Sequence, residues 1–336
     1  MCEIPSMPFG NWLIRRIKQP FQCCYRKSTA NGSAINVIEK YRKSGNILLV
    51  ENGHGVRNIL VFHKELYRSE RGLIYTGYCA TNRVPVAFKV VPLTHRDNLI
   101  EEYMIMRFLC HENILKVWAL DFSVRGHSAV MTMDVARCDL YALINLIDEY
   151  VPLLQLDKWM EELISAVNYV HSNEYVHGDL NYKNVLITEG LCIKIADFGS
   201  ADKRSNFKLT RYDPLFVPPE LSCRLSEPIP YGYDPRLIDV WSIGVLMFYA
   251  LTKQPPFTEV VTKSATDVHG NCPGDTLLYQ EDRERCSVHY SIVLSKLMDF
   301  NVKRRPQLIH VINQNYFNQP LIQDQLVAEQ IFQMFS

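Results

Sequence analysis

Apolar and polar positions alternate in the first part of the chain and then cycle with a helical period. NILVFHKEL (58–66), GLIYTGYCAT (72–81) and PVAFKVVP (85–92) are rich in β-branched and aromatic residues and are separated by turn formers, so they are expected to be three successive strands. RDNLIEEYMIMRFL (96–109) changes period. Leu99, Glu102 and Met106 fall on one face at i, i+3 and i+7, which predicts a helix carrying one carboxylate among apolar neighbours. HSAVMTMDV (127–135) returns to a strand pattern, and VLI (185–187) with CIKI (192–195) reads as a short hairpin. From Asp139 onward the pattern is mostly helical, as in LDKWMEELISAVNYVHS (156–172), LIDVWSIGVLMFYAL (237–251) and SIVLSKLMDF (291–300). The expectation is an α+β chain in which a small strand-rich half with one key helix precedes a larger, mainly helical half. The boundaries expected are an irregular basic extension over 1–55, the two halves over 56–135 and 136–316, and a tail over 317–336. The polar stretch 262–289 reads as a surface excursion.

With 336 residues, 47 % of them apolar, the chain can build two lobes sharing a cleft. Lys+Arg and Asp+Glu both number 36, and a neutral chain argues against general nucleic-acid binding, which needs excess positive charge to displace counterions. The ten cysteines show no CxxC pair and no zinc-ligand spacing, so buried, reduced thiols in a cytoplasmic protein are expected, with nuclear or membrane-associated locations as alternatives. The first 16 residues hold Pro5, Pro8 and Gly10 and no unbroken apolar core, so no secretory signal is evident. The 237–251 run contains Asp239 and is too short to span a bilayer. RRIKQPFQCCYRK (15–27) could hold weakly to an anionic membrane through acylation of Cys23 and Cys24, although a disordered basic tail is the plainer reading. Nothing in the sequence fixes an oligomeric state.

The chemistry concentrates in a few stretches. HGDLNYKN (177–184) offers Asp179 as a base and Asn184 as a metal ligand. Thirteen residues beyond Asn184, IADFGSA supplies Asp197 at the end of the expected hairpin, where a carboxylate can chelate magnesium. VAFK puts Lys89 on the third predicted strand, where an ammonium can reach phosphate oxygens. An unpaired charge at Glu102 would be costly on its apolar face, and an ion pair with Lys89 accounts for both residues. A phosphate anchor, a base and a metal site in this order fit phosphoryl transfer.

Three further motifs decide between the two enzyme classes that use a His-x-Asp loop. FVPPE (216–220), DVWSIG (239–244) and KRRP (303–306) resemble, in order, the element that closes a protein kinase activation segment, its buried central helix, and the arginine that pairs with the closing glutamate, here Arg305 with Glu220. Small-molecule phosphotransferases share the loop, including glycine in second place, but lack this set. Over about residues 56–316 the chain therefore resembles the eukaryotic-type protein kinases, on the serine/threonine side. The resemblance implies the two-lobed kinase fold, ATP and Mg2+ as cofactors, and a protein substrate. It implies Asp179 as base, Lys89 held by Glu102 on the phosphates, and Asn184 and Asp197 on the metal. It implies a nucleotide site formed by Gly72, Ile74, Ala87, Lys89, Met133, Val135 and Leu186, with hinge hydrogen bonds from Met133 to Val135. Met131 or Thr132 would close the back of the adenine pocket. Met106, Val117, His177 and Phe198 would stack as a column.

The departures from the family pattern are as specific as the matches. Only Gly72 matches a glycine of the nucleotide loop. Tyr67 and Ser69 stand where the other two would be, with Arg68 and Arg71 as alternative sources of charge. Gly178 replaces the arginine that anchors a phosphorylated activation segment, so phosphorylation of Ser200, Ser205 or Thr210 is not expected to order that segment in the usual way. Asn181 replaces the lysine two residues after the base, and Asp213 replaces its threonine partner, which suggests an Asn181–Asp213 hydrogen bond with Lys183 as a compensating cation. An active serine/threonine kinase is the first reading. The alternatives are a pseudokinase that binds or scaffolds, a tyrosine or dual-specificity kinase, and a small-molecule kinase.

Overall fold

The computed structural model describes residues 47–314 apart from 53, 56, 70, 124–127, 148–149, 211, 223–227 and 257–287. The expectations for residues 1–46 of the leader, for most of the 262–289 excursion and for the tail lie outside the described residues. Six antiparallel strands, β1 (Ile47–Glu51), β2 (Arg57–Ser69), β3 (Gly72–Cys79), β4 (Pro85–Pro92), β5 (Val117–Ser123) and β6 (Ser128–Met133), close into a barrel in the order β1-β2-β3-β4-β6-β5. β1 lies within the stretch expected to be irregular. It is only five residues long and follows a polar leader, too little to register as a strand pattern. It pairs with β2 from Ile47↔Val61 to Glu51↔Arg57, and with β5 at Val50↔Ser123 and Glu51↔Phe122. Both neighbouring strands thereby lose an open edge.

Strand alternation gives the barrel two apolar faces. Val50, Leu60, Val86, Phe88 and Val130 fill the interior. Ala87, Val91, Met131 and Met133 face outward and join the main core with Leu99 and Met106 of α1 (Arg96–Phe108). The register puts the two candidates for the back of the pocket on opposite faces of the sheet. Lys89 lies opposite Met131, and Phe88 opposite Thr132. Thr132 therefore belongs to the interior face, and Met131 shares the face of Lys89. Met133, opposite Ala87 on one side and Val117 on the other, is part of the sheet rather than of a free hinge strand.

The helical half begins with β7 (Cys138–Asp139) and α2 (Leu140–Leu146), capped by Asp139, whose carboxylate accepts from Ala142 N at 2.7 Å. α3 (Leu153–Ser172) buries Trp159, Leu163 and Val167. β8 (Tyr175–Val176), β9 (Val185–Ile187), β10 (Ile193–Ile195) and β11 (Asp202–Lys203) follow, and β9 and β10 form the hairpin expected from the sequence. After α4 (Pro219–Ser222) comes α5 (Arg236–Thr252), buried from Ile238 to Thr252 as an all-round hydrophobic helix should be. α6 (Val288–Leu297) and α7 (Leu308–Asn313) complete the described chain. Ile195 ties the halves together, accepting from Leu115 N at 2.9 Å and donating to Asn113 O at 2.8 Å. No helix among the described residues is long and apolar enough to cross a membrane. The thiols of Cys79, Cys110, Cys138 and Cys192 are free, as expected, but not buried: Cys110 is exposed and the others are partly so. Cys110 lies just past the end of α1, where the chain leaves the core.

Candidate active site

Lys89 projects from β4 into the cleft between the halves. Its Nζ lies 2.8 Å from both carboxylate oxygens of Glu102 and 2.9 Å from Oδ1 of Asp197. Glu102 is 4 % exposed, so the ion pair inferred from its place on an apolar face exists. Burial pulls the Lys89 pKa down, and the two carboxylates more than reverse this, so the group stays cationic. Burial raises the Asp197 pKa, and the Lys89 ammonium overcomes it, leaving about 2. Asp197 adopts a left-handed backbone with φ 59°, a conformation that aspartate tolerates better than most side chains. Phe198 beside it is buried, with its ring centroid 4.7 Å from that of His177. Met106 and Val117 are buried in the same core. Of the expected column, the His177–Phe198 ring contact is present.

The loop 177–184 is fixed by amides on carboxylates and carbonyls. Asn184 Nδ2 donates to the Asp179 carbonyl at 2.8 Å and to its Oδ2 at 3.4 Å, which leaves the Asn184 side-chain oxygen for a metal. Asn181 does not bond Asp213. Its Nδ2 donates to Asp179 Oδ1 at 3.1 Å and to the Asp179 carbonyl at 3.2 Å, while its Oδ1 accepts from the backbone N–H groups of Lys183 and Asn184 at 2.9 and 3.2 Å. Asp213 instead caps the short 3-10 turn Pro214–Phe216, accepting from Leu215 N at 3.0 Å. Both residues prefer a local amide partner, as Asn and Asp side chains in turns commonly do. Lys183 is exposed at the rim. Burial raises the Asp179 pKa; nearby His177 and the two asparagine amides oppose it without cancelling it. Asn181 thus stands on the base as a neutral donor, where the resemblance would put a cation.

The nucleotide side is less conventional. The cleft, about 780 Å³, is lined by Tyr67, Ser69, Arg71, Gly72, Ile74, Lys89, Asp179, Asn181, Asp197 and Asp213 among others. The β2–β3 ladder runs to its tip at Ser69↔Gly72. Ser69 Oγ accepts from Arg71 N at 3.3 Å, so an amide that a glycine tip could offer to a phosphate is already engaged. The Arg68 guanidinium is bound to Glu65 and is not part of the cleft lining. Arg71 does line the cleft. At Gly72 an added Cβ would come within 2.5 Å of Val90 O, so close strand packing alone demands glycine there. Ala87 and Met133 are buried, and Ile74, Val135 and Leu186 are partly buried; of these five, Ile74 lines the cleft. In the hinge, Asp134 N donates to Lys116 O at 2.9 Å, and the amides left for a ligand begin beyond it.

Two supports lie below the cleft. Arg305 makes a bidentate pair with Glu220 at 2.9 and 3.0 Å, as expected from FVPPE and KRRP. Asp239, fully buried in α5, accepts from the backbone N–H groups of His177 and Gly178, each at 2.9 Å, and pairs with His171 Nε2 at 2.8 Å. It anchors the loop that carries Asp179. Sequence reasoning noted Asp239 only as an interruption of an apolar run. A lone carboxylate in a buried helix was the signal, since such a group needs several donors.

An ammonium shared by two carboxylates, a base fixed by two amides and a bidentate arginine–glutamate lock recur together in one class of protein. The protein kinase domain family matches residues 61–317, and the chain belongs to it. It is similar to serine/threonine-protein kinase TIO of Arabidopsis thaliana, 31% identical over 195 residues, which is 55% of this chain and 14% of the relative. It is also similar to serine/threonine-protein kinase ULK3 of Mus musculus, 28% identical over 226 residues (66% of this chain, 45% of the relative). With serine/threonine-protein kinase STK11 of Homo sapiens it shares 25% identity over 190 residues, 52% of this chain and 43% of the relative. The chain spans less than half the length of each. These relatives support a serine/threonine protein kinase in general.

Proposed function

We propose that the protein is an active kinase that transfers the ATP γ-phosphate to serine or threonine hydroxyls of protein substrates. The observation that carries this reading is the placement of Lys89 Nζ on Glu102 and Asp197 at once, beside an Asp179 whose carboxylate is oriented by two amides. Among the described residues no three His, Cys, Asp or Glu side chains form a metal cluster. The oxygen donors of Asn184 and Asp197 suit magnesium that completes its shell with phosphate oxygens and water. When bound, the metal neutralises charge on the transferring group. Lys89 anchors the inner phosphates and Asp179 orients the acceptor hydroxyl and takes its proton. The raised pKa of Asp179 favours proton acceptance.

A second reading, a non-catalytic binding module, is favoured by the hairpin tip, where Tyr67 lines the cleft and Ser69 occupies the Arg71 amide. Transfer from labelled ATP with magnesium, to the protein itself and to mixed peptides, separates the two. Wild type should give signal, and Lys89→Met and Asp197→Asn should each lose it by at least about a hundredfold. Folded wild type that stays silent with several metals would defeat the active-kinase reading and favour the binding module.

A further inference from the structure

A phenylalanine ring occupies the space beside the catalytic loop that a side chain at position 178 would need. Gly178 has φ +75°, and a Cβ built on it would stand 2.4 Å from Phe207 Cζ, 2.5 Å from Phe207 Cε2 and 3.3 Å from the Ser200 carbonyl oxygen. Phe207 is buried among Val176, Val217, Leu221 and Ile238, an apolar cluster separate from the main core. The same segment is fastened at its start. β11 pairs with β8 at Asp202↔Val176 and Lys203↔Tyr175. Arg204 N donates to Glu174 O at 2.8 Å, and the Arg204 guanidinium reaches Asp234 at 3.2 Å. Ser200 is buried, which leaves Ser205 and Thr210 as the exposed hydroxyls of the three considered.

We infer that Phe207 is the positioning residue of the segment between Asp197 and Glu220, its ring seated against Gly178 so that the segment stays ordered without a phosphate. Glycine at 178 and phenylalanine at 207 form a matched pair. A side chain at 178 forces the ring to shift and strains the left-handed backbone, and losing the ring leaves a hole beside the backbone of the 177–184 loop. The catalytic consequence rests on the kinase reading. The ordering of the segment does not.

Hydrogen exchange on the phosphatase-treated full chain tests the ordering. The amides of 200–217 should be protected in wild type. In Phe207→Ala their exchange should rise about tenfold or more while α3 and α5 keep their protection. Phe207→Leu, which keeps an apolar plug, should stay within about threefold of wild type. Gly178→Ala, which keeps the ring but fills its seat, should match Phe207→Ala. In phosphotransfer, wild type should be indifferent to phosphatase, Phe207→Ala should lose kcat more than it raises KM, and Phe207→Leu should restore it. Wild-type protection that vanishes with phosphatase, or Phe207→Ala or Gly178→Ala exchange equal to wild type, overturns the inference. Should Phe207→Ala unfold throughout, Gly178→Ala and Phe207→Leu decide the matter by the same criteria. A wild type without phosphotransfer would defeat the proposed function and leave the exchange result to stand on its own.

Discussion

The nucleotide hairpin and the catalytic loop depart from the same family pattern, yet only one of them rebuilds what it lost. At the loop, each departure has a partner. Gly178 makes room for Phe207, and Asn181 turns its amide onto Asp179 while its oxygen closes the turn on Lys183 and Asn184. Below, Asp239 holds two consecutive loop amides. At the hairpin tip the replacements satisfy only themselves. Ser69 bonds its own turn, Arg68 bonds Glu65, and Tyr67 is half exposed at the cleft mouth. A motif can change its letters without losing its job when a neighbour changes with it. On the proposed function, the 177–184 loop is the compensated region and the tip the uncompensated one.

The largest expected effect strikes the scaffold of the loop. Asp239→Ala leaves the amides of His177 and Gly178 and the His171 ring without their shared acceptor in the core. It should cost about 3–5 kcal/mol in chemical denaturation, the range for breaking a buried charged network. A loss below about 1 kcal/mol would mean that the loop holds itself up, and the contrast with the tip would narrow.

Part of the polar constellation was legible from sequence by physical cost: Glu102 on an apolar face needed Lys89. The Arg305–Glu220 pair was legible only through the resemblance that FVPPE and KRRP carry. The spacing from Asp179 to Asn184 and Asp197 followed from a loop and a hairpin that could be read directly. What could not be read depends on register or on partners far along the chain. One residue of register separates Met131 from Thr132, and only the ladder to β4 decides it. β1 is too short to declare itself until β2 and β5 are there to receive it. The Asn181–Asp213 bond was inferred from residues that pair in the family, and both side chains instead found partners within a few residues of themselves, Asn181 on Asp179 and Asp213 on the Leu215 amide. Phe207 looked like an ordinary apolar residue in a polar stretch, and its meaning lies 29 residues upstream, in a missing side chain at 178.

The tip offers the next largest effect, with the opposite sign. Tyr67→Gly combined with Ser69→Gly clears a ring from the cleft and releases the Arg71 amide from Ser69 Oγ. Glycine in a strand costs about 0.5–1 kcal/mol of stability. Nucleotide affinity should nonetheless improve by roughly threefold to tenfold, or about 0.7–1.4 kcal/mol, measured by calorimetric titration with and without magnesium. Unchanged or weaker binding would show that the tip is not what limits the site, and the comparison of the two regions would fail on its weaker side.

The smallest effect is a shift in pH rather than in amplitude, and it probes the substitution on which the working loop most depends. A base must be ionised to accept a proton, so activity is lost as pH falls through the pKa of Asp179. Burial raises that pKa, and the Asn181 amide, being neutral, only partly offsets it. The acid limb of kcat/KM should therefore lie above the ordinary aspartate value. In Asn181→Lys an ammonium replaces the amide 3.1 Å from Oδ1. A cation favours the ionised carboxylate, so the limb should move to lower pH by about one unit, the low end of the range for an opposite charge at this distance because the cleft is open to water. The variant also loses the Asn181 oxygen that accepts from Lys183 N and Asn184 N, so its maximal rate can fall for structural reasons. The midpoint of the limb is insensitive to that fall. A limb that stays in place, or moves to higher pH, would mean that residue 181 does not act on the base, and the loop would then share the uncompensated character of the hairpin tip.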